Sequence, residues 1–328
     1  MSTLPFVSVI VPAFNAAKTL PACLTALMGQ CYPRACYEVV VVDDGSADST
    51  PTIAHRFGTT VITFPQNQGR SAARNAGAAA AQGEILLFTD ADCEPTPSWM
   101  TEMIAPFRHD QKVIGVKGAY LCRQHEWVAR FTQLELEDKY RELARHEQIS
   151  FIDTYSAAYR RHIFLANGGF DETLNYSLLE DQDFSFRLAA QNLKMVFAPN
   201  ARVYHQHITS PSRYYWRKWL IGRWKTVILR RFPERRDNDS RTPLTLKLQF
   251  GLALLLICCV PLGIFIWPFL WLAGLCLLLF PFTTVPFLFR TLKQDPRILF
   301  ITPPMLLVRA LGLAHGYLDG LLRLRNVR

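Results

Sequence analysis

Among eight cysteines, at 23, 31, 36, 93, 122, 258, 259 and 276, the sequence has no CxxC or CxxH spacing. That excludes a zinc site of the usual spacing and a disulfide framework, and fits a reducing compartment. No GxGxxG follows the first strand-like run and no GxxxxGK[ST] occurs anywhere, which argues against a dinucleotide enzyme or a P-loop NTPase. The opening run MSTLPFVSVIVPAFN has neither a basic start nor a small-residue cleavage site, so it does not read as a signal peptide, and the N-terminal part is expected in the cytoplasm. There is no internal repeat and no low-complexity segment. Charge is missing altogether from the 42 residues between Lys247 and Arg290. At about 1.5 Å per residue that run makes about 60 Å of helix, two crossings of a hydrocarbon core about 30 Å thick.

What is present is a 328-residue chain, 50% hydrophobic and 19% charged, with a net charge of +9. Such a total suggests nucleic acid until its distribution is counted. Residues 1–199 carry 17 basic against 22 acidic side chains, residues 200–243 carry 11 against 3, and residues 244–328 carry 8 against 2. The main domain is acidic and the excess of positive charge borders the apolar tail, so no nucleic-acid partner is expected. A transmembrane hairpin is expected over about 248–289, turning near Pro261, Gly263 or Pro268. Its flanks are basic, with Arg235, Arg236, Arg241 and Lys247 before it and Arg290, Lys293 and Arg297 after it, which places both ends in the cytoplasm. The segment 298–322 is apolar but interrupted by Pro303, Pro304, Arg309, His315 and Asp319; it is expected to be interfacial or re-entrant. Over 212–232, Trp216, Leu220, Trp224, Val227 or Ile228, and Phe232 recur at helical spacing among seven Lys and Arg, the pattern of a basic helix at an anionic membrane surface.

The first 120 residues alternate short β-rich runs with helical stretches, the mark of a parallel sheet covered by helices. Strands are expected at Phe6–Val11, Glu38–Val42, Thr60–Phe64 and Glu84–Phe88, and helices at Thr19–Gln30, Ser49–Phe57, Gly69–Ala81 and Pro97–Phe107. In open α/β sheets, ligands bind beyond the carboxyl ends of strands. The residues there are Pro12–Asn15, Asp43-Asp44-Gly45-Ser46, Asn67–Arg74 and Asp90-Ala91-Asp92. Two carboxylates at i and i+2 suit Mg²⁺ or Mn²⁺ shared with a diphosphate. Arg70 and Arg74, four apart at a helix start, favour phosphate. Either Asp43 or Asp44 offers an acceptor for a base N–H or a ribose hydroxyl. The Glu180-Asp181-Gln182-Asp183 run could complement a helix dipole or supply a general base for a sugar-transfer reaction. His205 or His207 could add a metal ligand.

These residues carry a resemblance. Val9-Ile10-Val11-Pro12-Ala13-Phe14-Asn15, Val42–Asp48, Asn67–Gly77, Asp90-Ala91-Asp92, Gly168-Gly169-Phe170-Asp171-Glu172 and Glu180-Asp181 resemble, in order and spacing over about residues 5–210, the family 2 glycosyltransferases of GT-A fold. The resemblance implies an α/β, Rossmann-like catalytic domain over 1–210; the charge and hydropathy patterns add a basic interfacial helix and linker over 211–243 and a membrane region over 244–328. It implies an inverting transferase using a UDP- or GDP-sugar with Mg²⁺ or Mn²⁺. Pro12, Asn15 and Asp44 would line the nucleoside pocket and Arg74 would lie near the base or diphosphate. Asp90 and Asp92 would serve sugar and metal, with Asp92 the direct ligand and His205 a further one. Asp181 would be the base, and Gly168, Gly169 and Glu180 would shape the acceptor loop. Processive polysaccharide synthases of the family carry Gln-x-x-Arg-Trp before their membrane helices; Tyr214-Tyr215-Trp216-Arg217-Lys218-Trp219 lacks the glutamine. The expected function is therefore transfer to a lipid-linked glycan, polyprenyl phosphate or other glycan at the cytoplasmic face of the inner membrane, by a multi-pass protein in contact with membrane lipid. The alternatives are a processive polysaccharide synthase and a catalytically silent membrane scaffold.

Overall fold

A computed structural model describes residues 4–174, 179–233 and 244–323. Arg235, Arg236 and Arg241 of the basic flank lie outside the described residues. The chain divides into two compact units: residues up to 123, 140–174 and 180–206 form the first, and 124–139, 179 and 207–323 the second.

The first unit is a mixed α/β, Rossmann-like domain. Its elements begin β1 (Val7–Ala13), α1 (Leu20–Met28), β2 (Tyr37–Asp43), α2 (Thr50–Arg56), β3 (Thr60–Thr63), α3 (Arg70–Ala80) and β4 (Ile85–Phe88). They continue with β5 (Cys93–Pro95), α4 (Trp99–His109), β6 (Val113–Leu121), β7 (Ala157–Arg160), α6 (Arg161–Ala166), α7 (Glu180–Ala190) and β8 (Lys194–His205), with α5 (Trp127–Leu143) shared between the units. One eight-stranded sheet runs in the order β3-β2-β1-β4-β7-β6-β8-β5. The four strands expected from the sequence form its parallel half, and β7 and β5 enter antiparallel. The valine run of β2 is buried because helices cover both faces of the sheet.

Two packing features position the strand ends. The alanine-rich α3 lies close on β1 and β2, where a Cβ on Gly77 would stand 2.6 Å from the Ile10 side chain. On the other side, Phe88, Phe164, Phe170 and Phe184 form an aromatic core with ring centroids 4.9 to 5.5 Å apart. Phe88 precedes Asp90 by two residues, Phe170 follows Gly169, and Phe184 follows Asp181 by three. The core therefore fixes three polar segments that are far apart in sequence.

The second unit is helical, built from the first part of α5 with α8 (Pro211–Arg231), α9 (Leu244–Gly263), α10 (Pro268–Gln294) and α11 (Thr302–Arg323). Helices α9, α10 and α11 are long and apolar enough to cross a membrane, with mean hydropathies of 2.0, 2.1 and 1.3. The turn of the expected hairpin falls between Gly263 and Pro268, while Pro261 lies inside α9. The segment 298–322 holds one continuous helix despite its polar interruptions. In α8, Trp216 of the expected membrane-facing row is exposed, while Val227 and Ile228 of that row are buried within the protein together with Tyr214, Gly222 and Thr226.

That face meets α11 in parallel. Gly312, Gly316 and Gly320 lie where any Cβ would run into the carbonyl oxygens of Tyr215, Trp219 and Arg223. Tyr215 Oη lies 2.7 Å from His315 Nδ1, and Arg223 Nε lies 3.2 Å from an Asp319 oxygen. Buried Glu135 of α5 accepts from Lys218 Nζ at 2.8 Å and Tyr214 Oη at 2.8 Å, and lies 3.6 Å from Arg309. Burial alone would raise the Glu135 carboxyl, but Lys218, Lys139 and Arg309 hold it well below its ordinary range. Buried charges of this kind persist only when paired.

Gly316→Leu is expected to lower stability by about 1–3 kcal/mol or more through overpacking, measured as a fall in melting temperature in detergent. Gly251→Leu, where the added Cβ meets nothing within 4 Å, is expected to leave it unchanged.

Candidate active site

The site is built at the carboxyl ends of β1, β2 and β4. Asn15 closes β1 in the left-handed region at φ 49°, which a short polar side chain tolerates. Its backbone N–H donates to Ser46 Oγ at 2.8 Å, and its Oδ1 accepts from Ala47 N at 2.9 Å. The loops after β1 and β2 are thereby joined. Gly45, at φ +76°, is required in the second loop because a Cβ would lie 2.6 Å from the Gln66 backbone. Asp44, buried, accepts the backbone N–H groups of Gln68 at 2.7 Å and Gly69 at 2.9 Å and so fixes the entry to α3.

From the first turns of α3, Arg74 reaches between two acids. Its Nη2 donates to Asp90 Oδ1 at 2.7 Å and its Nη1 to Glu180 Oε1 at 3.0 Å. Arg70 Nε lies 3.7 Å from the same Glu180 oxygen. Burial would weaken the Arg74 charge, but Asp90 and Glu180 more than compensate and its affinity for the proton is raised. Arg74 Nε and Glu180 Oε2 are buried without a partner among the described residues, leaving capacity for a further polar group.

Pro12, Asn15, Asp44, Arg70, Arg74, Asp90 and Asp92 line one cleft of about 400 Å³ together with Phe14 and Thr19. Asp92 is the more open carboxylate, with its side chain 49% exposed, and His205 Nε2 stands 3.5 Å from its Oδ2. Burial would raise the Asp92 carboxyl, but His205 brings it below its ordinary value. Donor atoms of Asp90, Asp92 and Cys93 also lie within 4.8 Å of one another. The Cys93 thiol is pushed well up by burial and by both aspartates, so it stays protonated and makes a poor ligand. Two carboxylates and an imidazole are a donor set that fits Mg²⁺ or Mn²⁺. His207 is not part of the cleft: it belongs to the helical unit, with Nε2 2.9 Å from Gln133 Oε1.

Asp181 opens α7 beside Glu180. Burial and the Glu180 charge raise its carboxyl to about 7, against the opposing pull of Arg74 and Lys117. Gly168 and Gly169, at φ +73° and +62°, form the turn after α6 and do not line the cleft. They are fastened to it through residues that the sequence reading did not single out. Asn75, next to Arg74, donates to Phe170 O at 2.8 Å and Glu172 Oε1 at 2.9 Å, and accepts from Phe170 N at 2.9 Å. Arg187 donates to the carbonyls of Asn167 and Gly169 at 2.5 and 2.6 Å while held by Asp183. Lys117 was also missed: it is buried in β6, ion-paired with Asp153 and 5.1 Å from the Tyr155 ring centroid. A lysine between apolar neighbours in Val-Ile-Gly-Val-Lys-Gly-Ala was the available signal.

This is the fold of the GT-A nucleotide-sugar transferases, with a carboxylate-rich cleft at its strand ends. Residues 8–166 match the model of Glycosyl transferase family 2. Among curated relatives, glycosyltransferase AglE of Haloferax volcanii is 46% identical over 104 residues, 30% of this chain and 34% of its own length. An undecaprenyl-phosphate 4-deoxy-4-formamido-L-arabinose transferase of Aeromonas hydrophila is 29% identical over 164 residues, 48% of this chain and 49% of its own. The chain thus spans a third to a half of the length of these relatives. Mannosyltransferase PcManGT from Pyrobaculum calidifontis, solved in complex with GDP-Man and Mn²⁺, superposes with a TM-score of 0.63. It is 18% identical, covering 98% of this chain and 88% of that one, a likeness of fold.

Asn75→Ala is expected to cost about 1–3 kcal/mol, because it strands buried backbone groups of the Gly169–Phe170 turn. The accompanying sign is faster hydrogen exchange at the Phe170 amide; unchanged exchange there would contradict the fastening role.

Proposed function

We propose that the protein transfers a sugar, with inversion, from a UDP- or GDP-sugar to a lipid-linked glycan, polyprenyl phosphate or other glycan acceptor at the cytoplasmic face of the inner membrane. The observation that carries this reading is the Arg74 bridge, which joins Asp90 in the cleft to the Glu180-Asp181 pair. A donor site and a candidate base thereby share one rigid element.

Pro12, Asn15 and Asp44 take the nucleoside end of the cleft, and Arg70 and Arg74 face the diphosphate. Asp90, Asp92 and His205 would hold Mg²⁺ or Mn²⁺, which when bound supplies positive charge for the leaving diphosphate. With a glycan acceptor, Asp181 accepts the hydroxyl proton as the acceptor oxygen bonds to the anomeric carbon; a polyprenyl phosphate bonds through a phosphate oxygen, with any proton it carries passing to Asp181. The bond from that carbon to the diphosphate oxygen breaks on the opposite face, which inverts the centre. A carboxylate raised to about 7 is matched to a base working near neutrality.

The placement at a membrane rests on α9 and α10, with Lys247 before and Arg290, Lys293 and Arg297 after, the charge bias of cytoplasmic ends. Helix α11 pairs along its length with the charged α8. That pairing supports an interfacial site for both helices, near a lipid-borne acceptor. Among the relatives, the one named for undecaprenyl phosphate favours such an acceptor.

The pH dependence tests the base. Asp181 must be ionised to act, so kcat is expected to rise through about pH 7. Stability is expected to move the opposite way. The folded form holds the Asp181 proton more tightly than the unfolded chain, whose carboxyl titrates near about 4, so stability falls as pH rises between these values and then levels. Asp181→Asn should abolish transfer while nucleotide affinity stays within a few fold. Asp92→Ala should remove the metal dependence of nucleotide binding in calorimetry; unchanged Mn²⁺-dependent binding would remove Asp92 from the metal site.

A further inference from the structure

The helical unit has an apolar groove whose lining carries no charged side chain. It has a volume of about 470 Å³ and lies between the last third of α10 and the start of α11. Val285, Leu288 and Leu292 form one wall at successive helical turns, and Leu299, Phe300 and Pro303 form the other. Phe300 is 90% exposed. The volume is that of a ligand pocket, but the lining offers almost no polar atom to orient a polar ligand.

The polar groups stand at one end. Helix α10 has 27 residues, about 40 Å of helix, and so outruns a hydrocarbon core of about 30 Å. Its charge-free stretch stops at Phe289. Lys293 lies one turn beyond Phe289 on the same row, and Arg297 lies in the link that leads into the second wall. Both are exposed. The nearby acids are already taken: Asp138 accepts from Arg290 at 2.7 Å, and Asp295 is ion-paired with Arg130. Among the described residues neither Lys293 nor Arg297 has a carboxylate partner within 4 Å. Two cations without counter-charge therefore sit where α10 leaves the apolar layer, directly above an apolar groove that runs about 12 Å down the helix.

We propose that this groove is a binding site for an anionic membrane phospholipid, with a hydrocarbon chain between α10 and α11 and the phosphate on Lys293 and Arg297. A chain covers the apolar lining, which offers almost no polar atom. The phosphate supplies the charge, in a layer where basic residues are drawn to anionic lipid. A neutral-headgroup lipid satisfies only the first requirement. The site is independent of the transfer reaction, and its failure leaves the proposed activity untouched.

Native mass spectrometry of the full chain, ejected from mixed micelles of phosphatidylglycerol and phosphatidylcholine, tests it. The wild type is expected to retain one phosphatidylglycerol at least tenfold in preference to phosphatidylcholine. The surface variant Lys293→Ala/Arg297→Ala should lose that preference while Lys247→Ala, an exposed cation outside the groove, keeps it. Leu288→Trp, which fills the groove, should reduce retention of both lipids. Its elution volume and helical circular dichroism report whether it folds. Equal retention of the two lipids by the wild type, or unchanged preference in the Lys293/Arg297 variant, would overturn the proposal. So would a polyprenyl phosphate added to the micelles that displaces phosphatidylglycerol at equal concentration, since the groove would then belong to an isoprenoid chain.

Discussion

Everything in the cleft depends on one buried guanidinium. Arg74 has almost no contact with solvent, yet it holds Asp90 and Glu180, which are ninety residues apart in sequence and come from different elements. Without it, the buried Glu180 carboxylate and the partly exposed Asp90 carboxylate would lose their shared cation. Removing one partner of a buried pair costs about 3–5 kcal/mol, because the other is left uncompensated. The reach of Arg74 is set in turn by the seating of α3. Asp44 holds the helix entry by two backbone N–H groups, and Gly77 lets its flank press on β1. A fold-level contact between a glycine and an isoleucine thus determines where a positive charge stands.

The same pair accounts for the unusual state of Asp181. Burial raises the Asp181 carboxyl first, and the adjacent Glu180, which pairs with Arg74 and lies near Arg70, raises it further. One of the two adjacent acids serves the architecture while the other is left with a proton affinity suited to exchange near neutrality. Environments that push two like groups apart are a recurrent route to distinct roles.

The parallel half of the sheet was legible because its strands are continuous apolar runs bounded by turn residues, a pattern with few alternative readings. The cleft residues followed from the rule that ligands gather at the carboxyl ends of such strands, and Pro12, Asn15, Asp44, Arg74, Asp90 and Asp92 do meet there. The antiparallel strands β7 and β5 escaped notice, being four and three residues long. Asn75 and Arg187 were hidden for another reason: they act on backbone groups of a turn ninety-five residues from Asn75 and about twenty from Arg187, and no local pattern announces such partners. The pairing of α8 with α11 was missed because hydropathy reads how apolar a helix is, whereas the close approach depends on three glycines four residues apart, Gly312, Gly316 and Gly320.

The proposed transfer requires the cleft at the strand ends to take a nucleotide diphosphate together with a divalent metal. A thermal-shift panel on the detergent-purified chain addresses it directly, with UDP, GDP, CMP and dTDP each measured with Mn²⁺ and with EDTA. A true ligand at one hundred times its Kd stabilises by about 2.7 kcal/mol. UDP or GDP is expected to stabilise the protein in Mn²⁺, and the effect is expected to be lost in EDTA. A folded sample that none of the four nucleotides stabilises in either condition would contradict it.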